Sequence, residues 1–336
     1  MAGLTEKTQG LGRRSPGHGT GTIATARLDR RSASGLAWLL LGVLALGLGS
    51  CQGQKSAEDK IAADTKAAED FQGDLIFKNV TLNNLGNDGK LQWEVKAQEA
   101  RYSRDRKYAK LIKPSGKLYE NGKVIYEITG GLGEILDNGQ ILKVRDRVRA
   151  KNIVEKAEFQ AATATWQPEK SELNVQGGFI LTHPEAIVSG REATAFNRDR
   201  RIEIQKTAAL RSKNNQLRVT SEKLTWDLAK REILSTGKTT ARGTVPGPTL
   251  AGAGTPAKLP ITIVGKKLLW QMAPDQVTLP EEPVATLPTQ GTTLKALRMV
   301  WNLKGQTMLA EGKVVANRRD PATILTSDCL LYTSDA

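Results

Sequence analysis

The sequence predicts an all-β domain built from about seven stacked units of roughly thirty residues, preceded by an N-terminal signal or anchor segment. Three observations predict it. Trp166, Phe196 and Trp226 are spaced by thirty, and Trp270 and Trp301 follow at intervals of forty-four and thirty-one. Gly177, Gly237 and Gly312 each lie eleven residues after Trp166, Trp226 and Trp301. Short stretches alternate apolar and polar residues, as in Ser171–Val175, Arg201–Gln205 and Gln216–Thr220. A fixed period means one supersecondary unit repeated, so that neighbours bury a core that no unit could bury alone. Period-two alternation is the pattern of a half-buried strand.

Each element follows from local chemistry. A unit opens with a strand ending in the aromatic, as in Leu224-Thr225-Trp226 or Met299-Val300-Trp301. A polar turn leads to a second strand such as Glu232-Ile233-Leu234, and the marker glycine follows. Glycine inside a strand pattern marks a bulge or sharp bend. The odd spacing between Val219 and Leu224 slips the apolar phase and predicts another bend there. Asn87-Asp88-Gly89, Asn121-Gly122, Asp137-Asn138-Gly139, Gly177-Gly178 and Gly305 read as turns. The long interval before Trp270 contains Thr244–Pro260, rich in Pro and Gly, which reads as an inserted loop. Upstream, Tyr102 and Leu136 take the marker place of earlier units.

The N-terminus reads as an export signal. Arg27, Arg30 and Arg31 precede the apolar run Leu36–Gly49. Fourteen residues are short for a membrane-spanning helix, which needs about twenty, and suit the hydrophobic core of a signal peptide. The run ends in Leu48-Gly49-Ser50-Cys51, which resembles a bacterial lipobox and makes Cys51 the expected lipid attachment site. An uncleaved anchor helix is the alternative. The expected domains are a signal or anchor over 1–50, a charged tether over 51–75 and the repeat domain over 76–326. The segment 327–336 is expected to be an irregular, truncated or non-native tail, because the repeat pattern stops partway through a unit. With Cys51 lipidated, Cys329 has no partner, and no intrachain disulfide is expected.

Composition limits the chemistry. The formal net charge is +14, of which the first fifty residues carry +4 and the remainder +10. That excess favours anionic partners, but export makes nucleic acid an unsuitable one. The only histidines are His18 and His183, and His18 lies in the leader. No catalytic triad or multi-histidine metal site can be built from one mature histidine. No phosphate-binding loop of the G-x-x-x-x-G-K-[ST] type occurs. The expectation is no enzyme, no catalytic residue, no metal and no cofactor, with only a carboxylate enzyme acting on surface polysaccharide left open.

Three features resemble the LptC/LptA (OstA-like) family of lipopolysaccharide-transport proteins. They are the anchored N-terminus, the early run Leu91-Gln92-Trp93-Glu94-Val95-Lys96-Ala97 leading to Ala100-Arg101-Tyr102, and the repeating strand-aromatic-glycine pattern. Clear instances of the last are Ala193-Thr194-Ala195-Phe196 and Leu217-Arg218-Val219 through Leu224-Thr225-Trp226. The resemblance covers about residues 72–326 and is closest to the membrane-anchored LptC component. It implies an elongated, V-shaped or twisted β-jellyroll at the periplasmic face of the inner membrane. It also implies that glycolipid is accepted from an inner-membrane ABC transporter and passed along an apolar groove. The partners implied are lipopolysaccharide, that transporter and an LptA-like bridge protein joined by edge-strand pairing. Trp166, Phe196, Trp226, Trp270 and Trp301 are the candidate groove residues. Two departures stand out: a lipobox in place of an uncleaved helix, and a chain longer than the compact members. The competing readings are a structural or adhesive β-repeat lipoprotein without a ligand, and the polysaccharide enzyme.

If Cys51 is the first mature residue, Cys51→Ala leaves an unprocessed precursor. Mass spectrometry of the membrane fraction checks this, and maturation of the variant to the wild-type polypeptide length contradicts it.

Overall fold

The computed structural model describes residues 75–104, 107–247 and 258–333. Cys51, the signal and nearly all of the tether lie outside the described residues. Among the described residues the fold is one sheet of twenty-one strands with no α-helix. The first seven strands are β1 (Leu75–Leu85), β2 (Leu91–Tyr102), β3 (Ala109–Ile112), β4 (Ser115–Glu120), β5 (Lys123–Thr129), β6 (Leu132–Leu136) and β7 (Ile141–Asn152). There follow β8 (Ala157–Gln167), β9 (Glu172–Thr182), β10 (Ala186–Phe196), β11 (Arg201–Ser212), β12 (Leu217–Ser221), β13 (Lys223–Asp227) and β14 (Glu232–Pro246). The last are β15 (Lys258–Gln271), β16 (Gln276–Leu279), β17 (Val284–Leu287), β18 (Thr292–Lys295), β19 (Arg298–Asn302), β20 (Thr307–Arg318) and β21 (Thr323–Tyr332). All pairings are antiparallel and run between chain neighbours or the halves of interrupted strands, so the sheet grows along one axis as an elongated β-jellyroll.

The unit is a hairpin whose long strands bend at mid-length. Ladder register shifts at Arg145/Val148, Ala161/Thr163, Gly190/Glu192, Thr236/Thr239 and Glu311/Val314. The marker glycines sit at this line of bulges, with φ of 80° at Gly177, 83° at Gly237 and 73° at Gly312. That backbone region is accessible to glycine at little cost and strains most other residues. The expected bend between Val219 and Leu224 is the break between β12 and β13. Each strand therefore lies partly in one wall and partly in another, and the two walls face each other across the core.

Paired residues share a face, so one inner row can be followed from strand to strand. In the first wall it runs Ile135, Leu142, Trp166, Leu173, Ala195 and Ile202. It continues through Trp226, Ile233, Trp270, Val277, Trp301 and Met308. In the second wall the row runs Ile128, Ala150, Phe159, Leu181, Val188 and Leu210. It continues through Val219, Ala241, Ile263, Ala285 and Leu294. All of these side chains are buried. The first wall carries the tryptophans and the second, apart from Phe159, carries aliphatic residues. Large rings against small side chains let the walls interdigitate at interior density.

Several expectations need correction. Leu136 and Phe196 are one residue off the row, where Ile135 and Ala195 stand. Gly177-Gly178 is a bulge inside β9 rather than a turn, because both neighbours are already paired to β8 and β10. The interval Thr244–Pro260 is not all loop: β14 and β15 pair as far as Pro246 and Lys258, and 248–257 lie outside the described residues. The expected irregular tail is partly a regular strand. β21 pairs with β20 from Thr323 to Tyr332, since the backbone edge of β20 offers hydrogen bonds that do not depend on the aromatic pattern.

Gly243 shows how closely the walls meet. A Cβ there would overlap the Gln216 carbonyl oxygen and Cη2 of Trp301. Gly243→Ala should therefore destabilise the domain by about 1–3 kcal/mol through overpacking. The cost should shrink in a Trp301→Phe background. Denaturant titration of the four proteins of this double-mutant cycle checks it, and an unchanged cost contradicts the cross-wall contact.

Candidate functional site

Four of the five groove candidates share the inner row of the first wall. Trp166 and Trp226 are 0% exposed, Trp301 is 1% and Trp270 is 4%. They point to one side, as expected, but they pack the interior solidly and do not floor an open channel. Phe196 does not join them. Its partners Glu172 and Arg201 face outward with it, and its ring lies 4.3 Å from the Arg201 guanidinium carbon in a cation–π contact. A shift of one residue along a strand moves a side chain to the other face. The inward place in this unit belongs to Ala195.

The indole nitrogens differ along the row. Trp270 Nε1 donates to Asp275 Oδ1 at 3.1 Å, and in the second strand Trp93 Nε1 donates to the Gly139 carbonyl at 2.8 Å. The Nε1 atoms of Trp166, Trp226 and Trp301 have no acceptor. Their rings are held by apolar and aromatic contacts instead. Trp166 meets Tyr126 edge-on at 6.2 Å, and Trp226 meets His183 edge-on at 4.7 Å. Burial lowers the His183 pKa, partly offset by the Glu185 carboxylate, so the imidazole is held toward its neutral form. His183 sits in the turn between β9 and β10.

Opposite the bulge line, turns of the two walls meet and are clasped by ion pairs. Arg200 donates to both Glu155 oxygens at 2.8 and 3.1 Å. One repeat later Arg231 donates to Glu185, with Nε at 2.8 Å. In the preceding unit Ser171 donates to Glu120, and Arg198 lies 4.0 Å from the same carboxylate. The left-handed conformation of Ser171, Arg200 and Arg231 places each at the same point of its turn. These clasps were missed in the sequence. Their signal was the same period, thirty between Glu155 and Glu185 and thirty-one between Arg200 and Arg231. Each is half-exposed on the arginine side, so each contributes about 1 kcal/mol or less.

One apolar cavity, of about 450 Å³, opens on this clasped side. Ala195, Ile202, Phe159 and Tyr126 line it, and Glu155, Arg198 and Arg200 stand around it. Tyr126 Oη donates to Asn197 Oδ1 at 2.9 Å, and burial raises the phenol pKa beyond its ordinary range. A second apolar concavity, of about 360 Å³, lies at the first strand, lined by Leu75, Phe77, Val80, Leu82 and Tyr102. The end strands β1 and β21 each pair on one side alone among the described residues. Both expose apolar side chains, Ile76 at 51% and Ile324 at 74%. Among the described residues no group of His, Cys, Asp and Glu could hold a metal ion, and no helix is long and apolar enough to cross a membrane.

The profile of the LptC-related lipopolysaccharide-assembly family matches residues 39–207. No curated protein matches the chain. Among solved structures it is similar to LptH of Pseudomonas aeruginosa, described as the LptA-homologous periplasmic component of the lipopolysaccharide transport device. That likeness is at 14% identity and a TM-score of 0.23, covering 47% of this chain and 83% of LptH.

The two aromatic positions of neighbouring units should respond differently to truncation. Trp226→Ala should cost about 3–5 kcal/mol, the loss for a large buried ring. Phe196→Ala should cost less, about 1–2 kcal/mol, the scale of a half-buried cation–π contact. Equal losses in thermal or denaturant unfolding contradict the inner-row assignment.

Proposed function

The chain belongs to the LptC-related lipopolysaccharide-assembly family, and from that premise we propose that it is the membrane-anchored periplasmic component that accepts glycolipid from an inner-membrane ABC transporter and passes it along the apolar seam between its walls. The observation that carries this reading is the continuity of the two inner rows. They run without a polar interruption, the first from β6 to β20 and the second from β5 to β18, along the axis on which the sheet grows. Acyl chains crossing water need a dry path, and two apolar walls in register supply one.

The seam is packed shut, so transport requires the walls to part. The clasps on the open side are weak enough for that. Opening exchanges ring-to-wall contacts for ring-to-chain contacts of the same apolar kind, so little hydrophobic free energy is lost. The bulge line acts as the hinge, because its ladder is already interrupted. The unpaired edges of β1 and β21 suit backbone pairing with neighbouring β proteins, the transporter's partner domain at one end and an LptA-like bridge at the other. Lipid at Cys51, or an uncleaved helix, would hold the domain at the inner membrane. No step of this handover breaks a covalent bond, so the role needs neither a catalytic group nor a cofactor.

A photo-reactive residue at position 226 should capture lipopolysaccharide in native membranes, and capture should rise when the transporter is supplied with ATP. The same probe at Thr225, on the opposite face of β13, should capture far less. Equal capture at both positions, or none at 226 in a folded protein, contradicts the conduit and favours a purely structural repeat domain.

A further inference from the structure

The repeat with alanine in the tryptophan place adjoins an apolar cavity. In the inner row of the first wall, Trp166, Trp226, Trp270 and Trp301 fill the interior of their units, whereas the equivalent place between Trp166 and Trp226 is Ala195. The apolar cavity of about 450 Å³ adjoins that alanine. Its volume lies within the range of sites for small ligands. Its floor is Ala195, Ile202, Phe159 and Leu228, drawn from both walls. The Glu155–Arg200 clasp stands at its mouth. Beside it the Arg198 guanidinium is 63% exposed, donates to the Glu169 carbonyl at 2.7 Å and reaches no carboxylate closer than 4.0 Å.

We propose, building on the transport reading, that this cavity is the port through which a single aliphatic chain bearing an anionic group is admitted to the seam. The chain takes the space that a tryptophan fills in the two flanking units. The anion, a carboxylate or a phosphate, displaces Glu155 as the partner of Arg200 and engages the open fork of Arg198. Guanidinium groups match both anions through paired N–H donors. Exchange of one anion for another keeps Arg200 paired, so no cation is stranded, while the displaced Glu155 carboxylate, 12% exposed in the clasp, must turn to water. In the adjacent units Trp166 and Trp226 are fully buried, so chain insertion there must first displace a packed ring.

The test uses the full chain in membrane vesicles and three photo-activatable diazirine probes: dodecanoic acid, dodecyl phosphate and dodecanol. Labelled peptides are mapped by mass spectrometry. Either anionic probe should label the peptides holding Phe159, Ala195 or Ile202, and dodecanol should label them about tenfold less, the ratio for one charge-assisted contact. Ala195→Trp should reduce labelling about tenfold or more by filling the vacancy, with the unfolding temperature unchanged or raised. Should that ring fail to fit, Ala195→Leu serves the same purpose with less bulk. Glu155→Gln should raise labelling by removing the competing anion, and Arg200→Gln should lower it. Undiminished labelling in folded Ala195→Trp or Ala195→Leu overturns the port, and equal labelling by dodecanol overturns the anion's part in it. Capture of lipopolysaccharide by the probe at position 226 is measured on the same membranes. If that capture persists while the cavity stays unlabelled, the port fails and the transport reading stands; if capture at 226 is also absent, the transport reading fails with it.

Discussion

Register across the antiparallel ladders is the constraint on which the rest depends. A strand that slipped by one residue would turn its whole inner set outward and put charged residues such as Arg201 and Glu203 into the seam. The bulges keep the two halves of each strand in phase with their own wall while letting the strand bend. At Gly237 this requires a left-handed backbone, and a side chain there would run into Glu222. Local backbone geometry thus decides whether the tryptophans of successive units fall on one line.

The same register explains why a solid core and a transport role are compatible. Rings in the first wall and aliphatic side chains in the second touch along their lengths, but few hydrogen bonds tie wall to wall. Trp166, Trp226 and Trp301 leave their indole nitrogens without acceptors in the closed interior. What spans the open side is a set of ion pairs between turns, in which the arginines remain about half-exposed. A sheet held strongly within each wall and weakly between walls is a structure in which opening costs less than unfolding.

Much of this was legible in the sequence because the thirty-residue period is carried by residues that must be there for physical reasons. Tryptophan fills the interior and glycine accepts the bulge, so Trp226 with Gly237 and Trp301 with Gly312 located both wall and bulge. The period was misleading at Phe196. An aromatic one place off the row keeps nearly the same spacing, and only the parity of the alternation around Ala193 and Ala195 separates inward from outward. The clasps were harder to see, since Glu155 and Arg200 are forty-five residues apart and meet only after both walls have folded. A strand can also form without any marker, as β21 does by pairing to an open edge.

Whether the walls part is the central claim. The most direct measurement is the distance between spin labels on Lys213→Cys and Lys230→Cys, two exposed positions on turns of opposite walls, in a chain in which Cys329, and Cys51 where it carries no lipid, have been replaced by serine. Pulsed dipolar spectroscopy before and after loading with lipopolysaccharide should show a longer distance in the loaded state. The same distance in both states would contradict a seam that opens for its cargo.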